Sequence, residues 1–188
     1  RPEGFVLWVG ACEHLPHIIG WLGQNEVDAD IKLLTNYTNN AARMEAHMRA
    51  RRMGIRLEFK DGMINGHEAL RWSQEAQERL MRTCKAAIDI KGSDFNQATK
   101  PPTKAQQFLA SGIPFASNID SSVAEYLKWR GFNVAAAGDW DRLFSRDYWG
   151  ETRTFAQKLR ECTSAIAVRR SYMNVLERLL YPSRHLKA

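Results

Sequence analysis

"TKPPTKAQQFLASGIPFASNIDSS", residues 99–122, sets the terms on which the rest of the chain is read. Two prolines lead into a stretch with helical spacing, Lys104 to Ala110, that stops at Gly112. Gly-Ile-Pro then gives way to a short apolar run, and Asp120-Ser121-Ser122 opens another helix. A glycine past the last helical turn and a serine ahead of the next one are the usual stop and start signals. Helix, strand and helix in that order form one unit of a parallel α/β architecture.

The flanking sequence repeats this unit. "GFVLWVGA" holds an apolar run, Phe5 to Val9, bounded by glycines, and predicts a buried strand. Leu15, Ile18, Ile19 and Leu22 then fall on one helical face, with Pro16 suited to a first turn. "DIKLLTN" predicts a second strand, and "NNAARMEAHMRARRMG" a helix ended by Gly54. "IRLEFKDG", residues 55–62, alternates apolar and polar and predicts the third strand; "NGHEALRWSQEAQERLMRTC", residues 65–84, predicts one long helix starting at Asn65. "KAAIDIKG", "IPFASN" and "FNVAAAG" predict the fourth, fifth and sixth strands, with a loop over residues 92–103 and a helix over "SSVAEYLKWRG". From about Asp139 the pattern is helical. About six strands separated by helices imply a mainly parallel sheet with helices on both faces, in one domain covering residues 1–188.

Composition narrows the possibilities. The 188 residues are 44% apolar and carry a net charge of +6, enough for one domain with a real core and suited to anionic ligands. No apolar run approaches the roughly 20 residues that span a bilayer. Three cysteines, an odd number without a Cys-x-x-Cys pair, argue against a disulfide scaffold or structural zinc and favour a reducing compartment. His14 and His17 are three apart but have no third ligand nearby, so no metal site is expected. Arg43 to Arg52 reads as a solvated helix face. The start, Arg-Pro-Glu-Gly without Met, reads as a piece of a longer protein cut just before a domain.

Ligands of open α/β sheets bind beyond the carboxyl ends of the strands. The loops predicted there hold glycine, small hydroxyls, amides and lysines rather than a cluster of Asp, Glu and His. Such an edge suits holding an anion more than moving protons. Ser122 and Glu125 have capping-box spacing, so a helix starts near Ser122, and its N–H groups could hold a phosphate. Lys104 and Gln107, three apart, share a helix face and suit a phosphate and ribose hydroxyls respectively. "VGACEH" has one glycine where a dinucleotide fingerprint needs three.

"KAQQFLASGIPFASNIDSSVAEYL" resembles the donor-binding signature of GT-B glycosyltransferases: a Lys-x-x-Glu helix, Leu-Ala-x-Gly-x-Pro, a strand, a small-residue turn and a helix carrying Glu. Lys104, Gln107, Leu109 to Pro114, Asp120 to Ser122 and Glu125 stand in that order. The resemblance covers the whole layout. It implies a Rossmann-like three-layer αβα sandwich, the C-terminal half of such an enzyme, with helices from about residue 140 closing it. It further implies a nucleotide-diphospho-sugar donor, no metal or other cofactor, an acceptor (sugar, lipid or protein) bound by an N-terminal domain of the same longer chain, and no nucleic-acid partner. The expected location is the cytoplasm or the inner membrane face.

In this reading the base rests near Lys60 to Met63, the ribose meets Gln107, and the phosphates meet Gly10, Lys104 and the Ser121/Ser122 helix start, with Lys100 and Asp120 alongside. Two positions depart from the family. Gln107 stands where its ribose-binding glutamate would be, and Thr99 where retaining members carry a second glutamate. The Arg and Lys that often follow the first strand are absent from "VGACEHLPH", a lack for which Lys100 or Lys104 can compensate. These departures favour the alternative of a non-catalytic interaction or carbohydrate-recognition module with the same fold.

Overall fold

A computed structural model describes residues 3–92 and 100–180, and Thr99 lies outside them. The first half runs β1 (Val6–Val9), a 3-10 turn (Cys12–His14), α1 (Leu15–Leu22), β2 (Ile31–Thr35), α2 (Asn40–Arg52), β3 (Phe59–Lys60), β4 (Met63–Ile64), β5 (His67–Arg71) and α3 (Gln74–Thr83). The second runs β6 (Ala86–Asp89), α4 (Thr103–Ala110), β7 (Phe115–Ser117), α5 (Ser122–Trp129), β8 (Ala135–Ala136), α6 (Trp140–Leu143), α7 (Arg146–Thr163) and α8 (Ala165–Leu180). The strands form one sheet in the order β3-β4-β5-β2-β1-β6-β7-β8. From β5 to β8 every neighbouring pair is parallel. All residues of β1 and β6 are buried, as strands covered on both faces must be. This is the expected α/β, Rossmann-like sheet.

Two local readings need correction. The third parallel strand is β5, not residues 55–62, and residues 67–71 are not helical. Asp61-Gly62 and Asn65-Gly66 each close a two-residue hairpin, pairing Lys60 with Met63 and Ile64 with His67. All four turn residues have positive φ (49°, 76°, 50° and 84°), which a type I′ turn requires and Asp-Gly and Asn-Gly supply. Asn65 also ties the turn to the segment just before β3, accepting from Glu58 N at 2.9 Å and donating to Arg56 O at 2.8 Å. The helix therefore waits until Ser73, whose Oγ accepts from Ala76 N at 3.1 Å.

The second correction concerns α5. Its cap is Ser121 rather than Ser122: Ser121 Oγ accepts from Ala124 N (3.3 Å) and donates to Asn118 O (2.6 Å). The cap falls one residue earlier because Ser121 is buried against the end of β7, where Ser117 Oγ lies 3.4 Å away.

At the chain's far end, α7 packs on α4. The Tyr148 hydroxyl, buried, donates to Phe115 O (2.6 Å) and accepts from Ala135 N (2.9 Å), pinning α7 to β7 and β8. Beyond Ser164, α8 exposes Ile166, Tyr172, Leu176 and Leu180. Among the described residues no helix is long and apolar enough to cross a membrane.

Candidate functional site

The chain turns from β1 to β2 on one side and reaches β6 on the other, so the sheet's topological switch point lies between β1 and β6. Ligands of doubly wound sheets bind there, beyond the carboxyl ends. A cavity of about 380 Å3 occupies this place, lined by Trp8 to Ala11 at the end of β1, Asn36 after β2, Trp72 after β5, Asp89 to Lys91 at the end of β6, and His14, Lys100 and Lys104.

Its floor is a buried charge cluster. Asp89, at the end of β6, is only 4% exposed. Lys104 Nζ donates to its Oδ1 at 2.8 Å and to Val9 O at 2.8 Å, while Lys91 Nζ lies 2.9 Å from Oδ2. Burial alone would raise the Asp89 carboxyl, but the ammonium groups of Lys104 and Lys91 outweigh it and hold the pKa below the ordinary value. Burial also lowers the pKa of Lys104, against the pull of Asp89. Asn118 fixes Lys91 from the loop after β7, accepting from Lys91 N (2.9 Å) and donating to Lys91 O (3.0 Å). With Lys100 on the wall, three ammonium groups and one carboxylate line the cavity, which carries a net positive charge.

His14 forms the wall beside Lys100, whose Nζ is 2.8 Å from His14 Nε2. An ammonium only donates, so Nε2 is the acceptor and the imidazole is neutral. Burial, with Lys100 next in weight, pushes the His14 pKa down to about 4. The unfolded chain binds a proton near the ordinary 6.5 that the folded chain refuses. Stability is therefore expected to fall as pH drops from 6.5 toward 4, and the urea midpoint of a His14→Gln variant should not share that part of the decline.

The roof is aromatic. Trp8 is 1% exposed, and its indole lies against Gly10 so closely that a Cβ there would sit 2.4 Å from Cζ2 and Cη2. Among the described residues Trp8 Nε1 is buried without a hydrogen-bond partner. Trp72, half exposed at the mouth, donates from Nε1 to Gln77 Oε1 (2.9 Å), and Gln77 Nε2 donates to Gln107 Oε1 (2.9 Å).

No protein-family model and no curated protein matches the chain. Among solved structures, the crystal structure of AviGT4, a glycosyltransferase involved in avilamycin A biosynthesis, overlays 97% of this chain at TM-score 0.61 and 14% identity. This is a Rossmann-like glycosyltransferase fold. The chain spans 53% of the length of the AviGT4 chain. The catalytic domain of cholesterol-alpha-glucosyltransferase from Helicobacter pylori overlays 90% of this chain and 99% of its own at 13% identity, but at TM-score 0.39, too loosely to bear on the fold.

Within this glycosyltransferase fold the structure brings Gly10, Lys100 and Lys104 together around the cavity. Lys60 lies on the edge hairpin in a separate groove with Glu58, Asp61 and Met63, because the loop after the third parallel strand carries Trp72 instead. Gln107 faces α3 rather than the cavity, in a groove with Glu78, Arg82 and Trp149. Ser121 is occupied as a cap, Ser122 Oγ is buried, and Asp120 is exposed on the loop before α5. Sequence reasoning placed Asn36 and Lys91 only within strand-end loops, weighed His14 only as a metal ligand, and passed over Asp89, Trp8 and Trp72. One signal was available: "AAIDIK" sets a carboxylate inside an apolar strand, which demands a buried partner.

Proposed function

We propose that the switch-point cavity is the donor site of a glycosyltransferase, taking a nucleotide-diphospho-sugar. The observation that supports this most is the excess of ammonium groups lining the cavity, Lys91, Lys100 and Lys104 against the single carboxylate of Asp89, at the place where such sheets bind ligands. Two of the three Lys104 N–H groups serve Val9 O and Asp89, which leaves one for a phosphate oxygen. The Trp72 ring at the mouth suits stacking on a base, and the unpaired Trp8 N–H suits a ligand oxygen. As the sugar–phosphate bond breaks, the lysines would stabilise the charge that builds on the leaving diphosphate, with no covalent step on this chain.

Acceptor binding and any catalytic base belong, in this proposal, to a further domain of a longer chain. The apolar face of α8, with Ile166, Tyr172, Leu176 and Leu180 exposed, suits packing against it.

The test is thermal stabilisation against UDP, GDP, dTDP, ADP, CMP and their sugar conjugates. A ligand at 100 times its Kd adds about 2.7 kcal/mol. Lys104→Ala should weaken the responding ligand about tenfold or more, the value of a hydrogen bond to a charged group, without unfolding the chain, because Lys91 still pairs Asp89. Unchanged affinity in that variant would count against the assignment. The second reading, a non-catalytic module, draws on Gln107, whose carbonyl is engaged by Gln77 instead of facing the cavity. Silence across the panel, on this chain and on a longer one, would favour it.

A further inference from the structure

We propose that His14 is a ligand-contacting residue of this cavity: an anion seated among Lys91, Lys100 and Lys104 draws the Lys100 ammonium off His14 Nε2, and the released nitrogen takes up a proton from solvent and donates to the anion. The proposal rests on the reading of the cavity as a site for a phosphorylated donor.

Two cations approach the ring nitrogens of His14. Lys100 Nζ lies 2.8 Å from Nε2, and Arg49 of α2 approaches Nδ1 at 3.5 Å. A neutral imidazole accepts at one nitrogen only, so the shorter contact is the hydrogen bond and Nδ1 keeps its hydrogen. Arg49 itself leans on Glu45 at 3.4 Å. Lys104 adds a third positive charge, Glu13 in the same turn opposes them, and the His17 ring lies 6.5 Å away. Burial and the surrounding cations thus both disfavour imidazolium.

An anion reverses the electrostatic part. It neutralises Lys100 and Lys104 and offers an acceptor to whichever nitrogen carries a proton. His14 then changes from acceptor to donor, the role that Arg and Lys after the first strand would otherwise fill. By linkage, an anion that restores the ordinary value of 6.5 from about 4 binds about tenfold tighter at pH 5.5 than at pH 8.

Inorganic sulfate is a suitable probe, because its charge does not change over that pH range. Amide shifts at Gly10, Ala11 and Lys91 report its seating, and the His14 Cε1–H signal reports protonation. The expected result is a His14 midpoint that climbs toward 6.5 in saturating sulfate, with about tenfold tighter binding at pH 5.5. His14→Gln, which keeps an acceptor for Lys100 but cannot titrate, should bind equally at both pH values. Lys100→Ala should raise the sulfate-free midpoint part of the way, since burial remains. If sulfate seats but the His14 midpoint stays put, the inference is overturned and the anion-site reading stands. If sulfate moves none of those amides at either pH, both are overturned.

Discussion

Asp89→Ala is expected to cost about 3–5 kcal/mol, the typical loss when one partner of a buried ion pair is removed. The cost arises from what remains. Lys91, 7% exposed at its side chain, and Lys104 would keep their positive charges at the sheet edge with no carboxylate between them. A domain of this size holds only about 5–15 kcal/mol in total, so the variant should be partly unfolded near physiological temperature. Urea denaturation gives the measurement. Combining Asp89→Ala with Lys91→Met and Lys104→Met should recover most of the loss, because the charges that needed the carboxylate are gone. A loss below about 1 kcal/mol for the single variant, in the range of a surface ion pair, would mean that the cluster is solvated rather than buried.

Gly10→Val is expected to have the second large effect. The glycine is required for space, not for backbone conformation, since its φ is not positive. A Cβ alone would meet the Trp8 indole at 2.4 Å, and two further methyls compound the overlap. Trp8 lies in the middle of the core and cannot yield cheaply, so the cost should reach about 3 kcal/mol, the upper end of ordinary overpacking. The displaced ring would also close the cavity, and any anion response should vanish while the protein is still folded. Adding Trp8→Leu should restore stability. If Gly10→Val binds anions normally, the cavity does not extend beneath Trp8.

The elements that sequence patterning located are those whose apolar runs end at a glycine or stand next to a cap: β1, β2, β6, β7, β8 and the helices after them. The edge meander was misread because "IRLEFK" alternates like one strand and "EALRWSQEAQERL" contains enough helix formers to mask the Asn-Gly turn before it. The site was legible to the same depth. The sheet rule locates the cavity, and the short helix after two prolines identifies Lys104. The Lys104 partner sits 15 residues earlier, and the Gln107 partner 30 residues earlier on another helix. Those pairings depend on how helices settle on the sheet, a tertiary fact with no local spacing to announce it.

The sheet's two borders, β3 and β8, are two residues long each, while the strands they shield run to five. A strand of that length at an open border offers a row of unpaired amide and carbonyl groups on which another chain can crystallise into a ladder. The meander ends on Lys60, exposed and charged, and β8 gives way at once to a turn, so neither border presents a usable template. The hairpin that was hardest to read in the sequence thus guards the parallel strands against self-association.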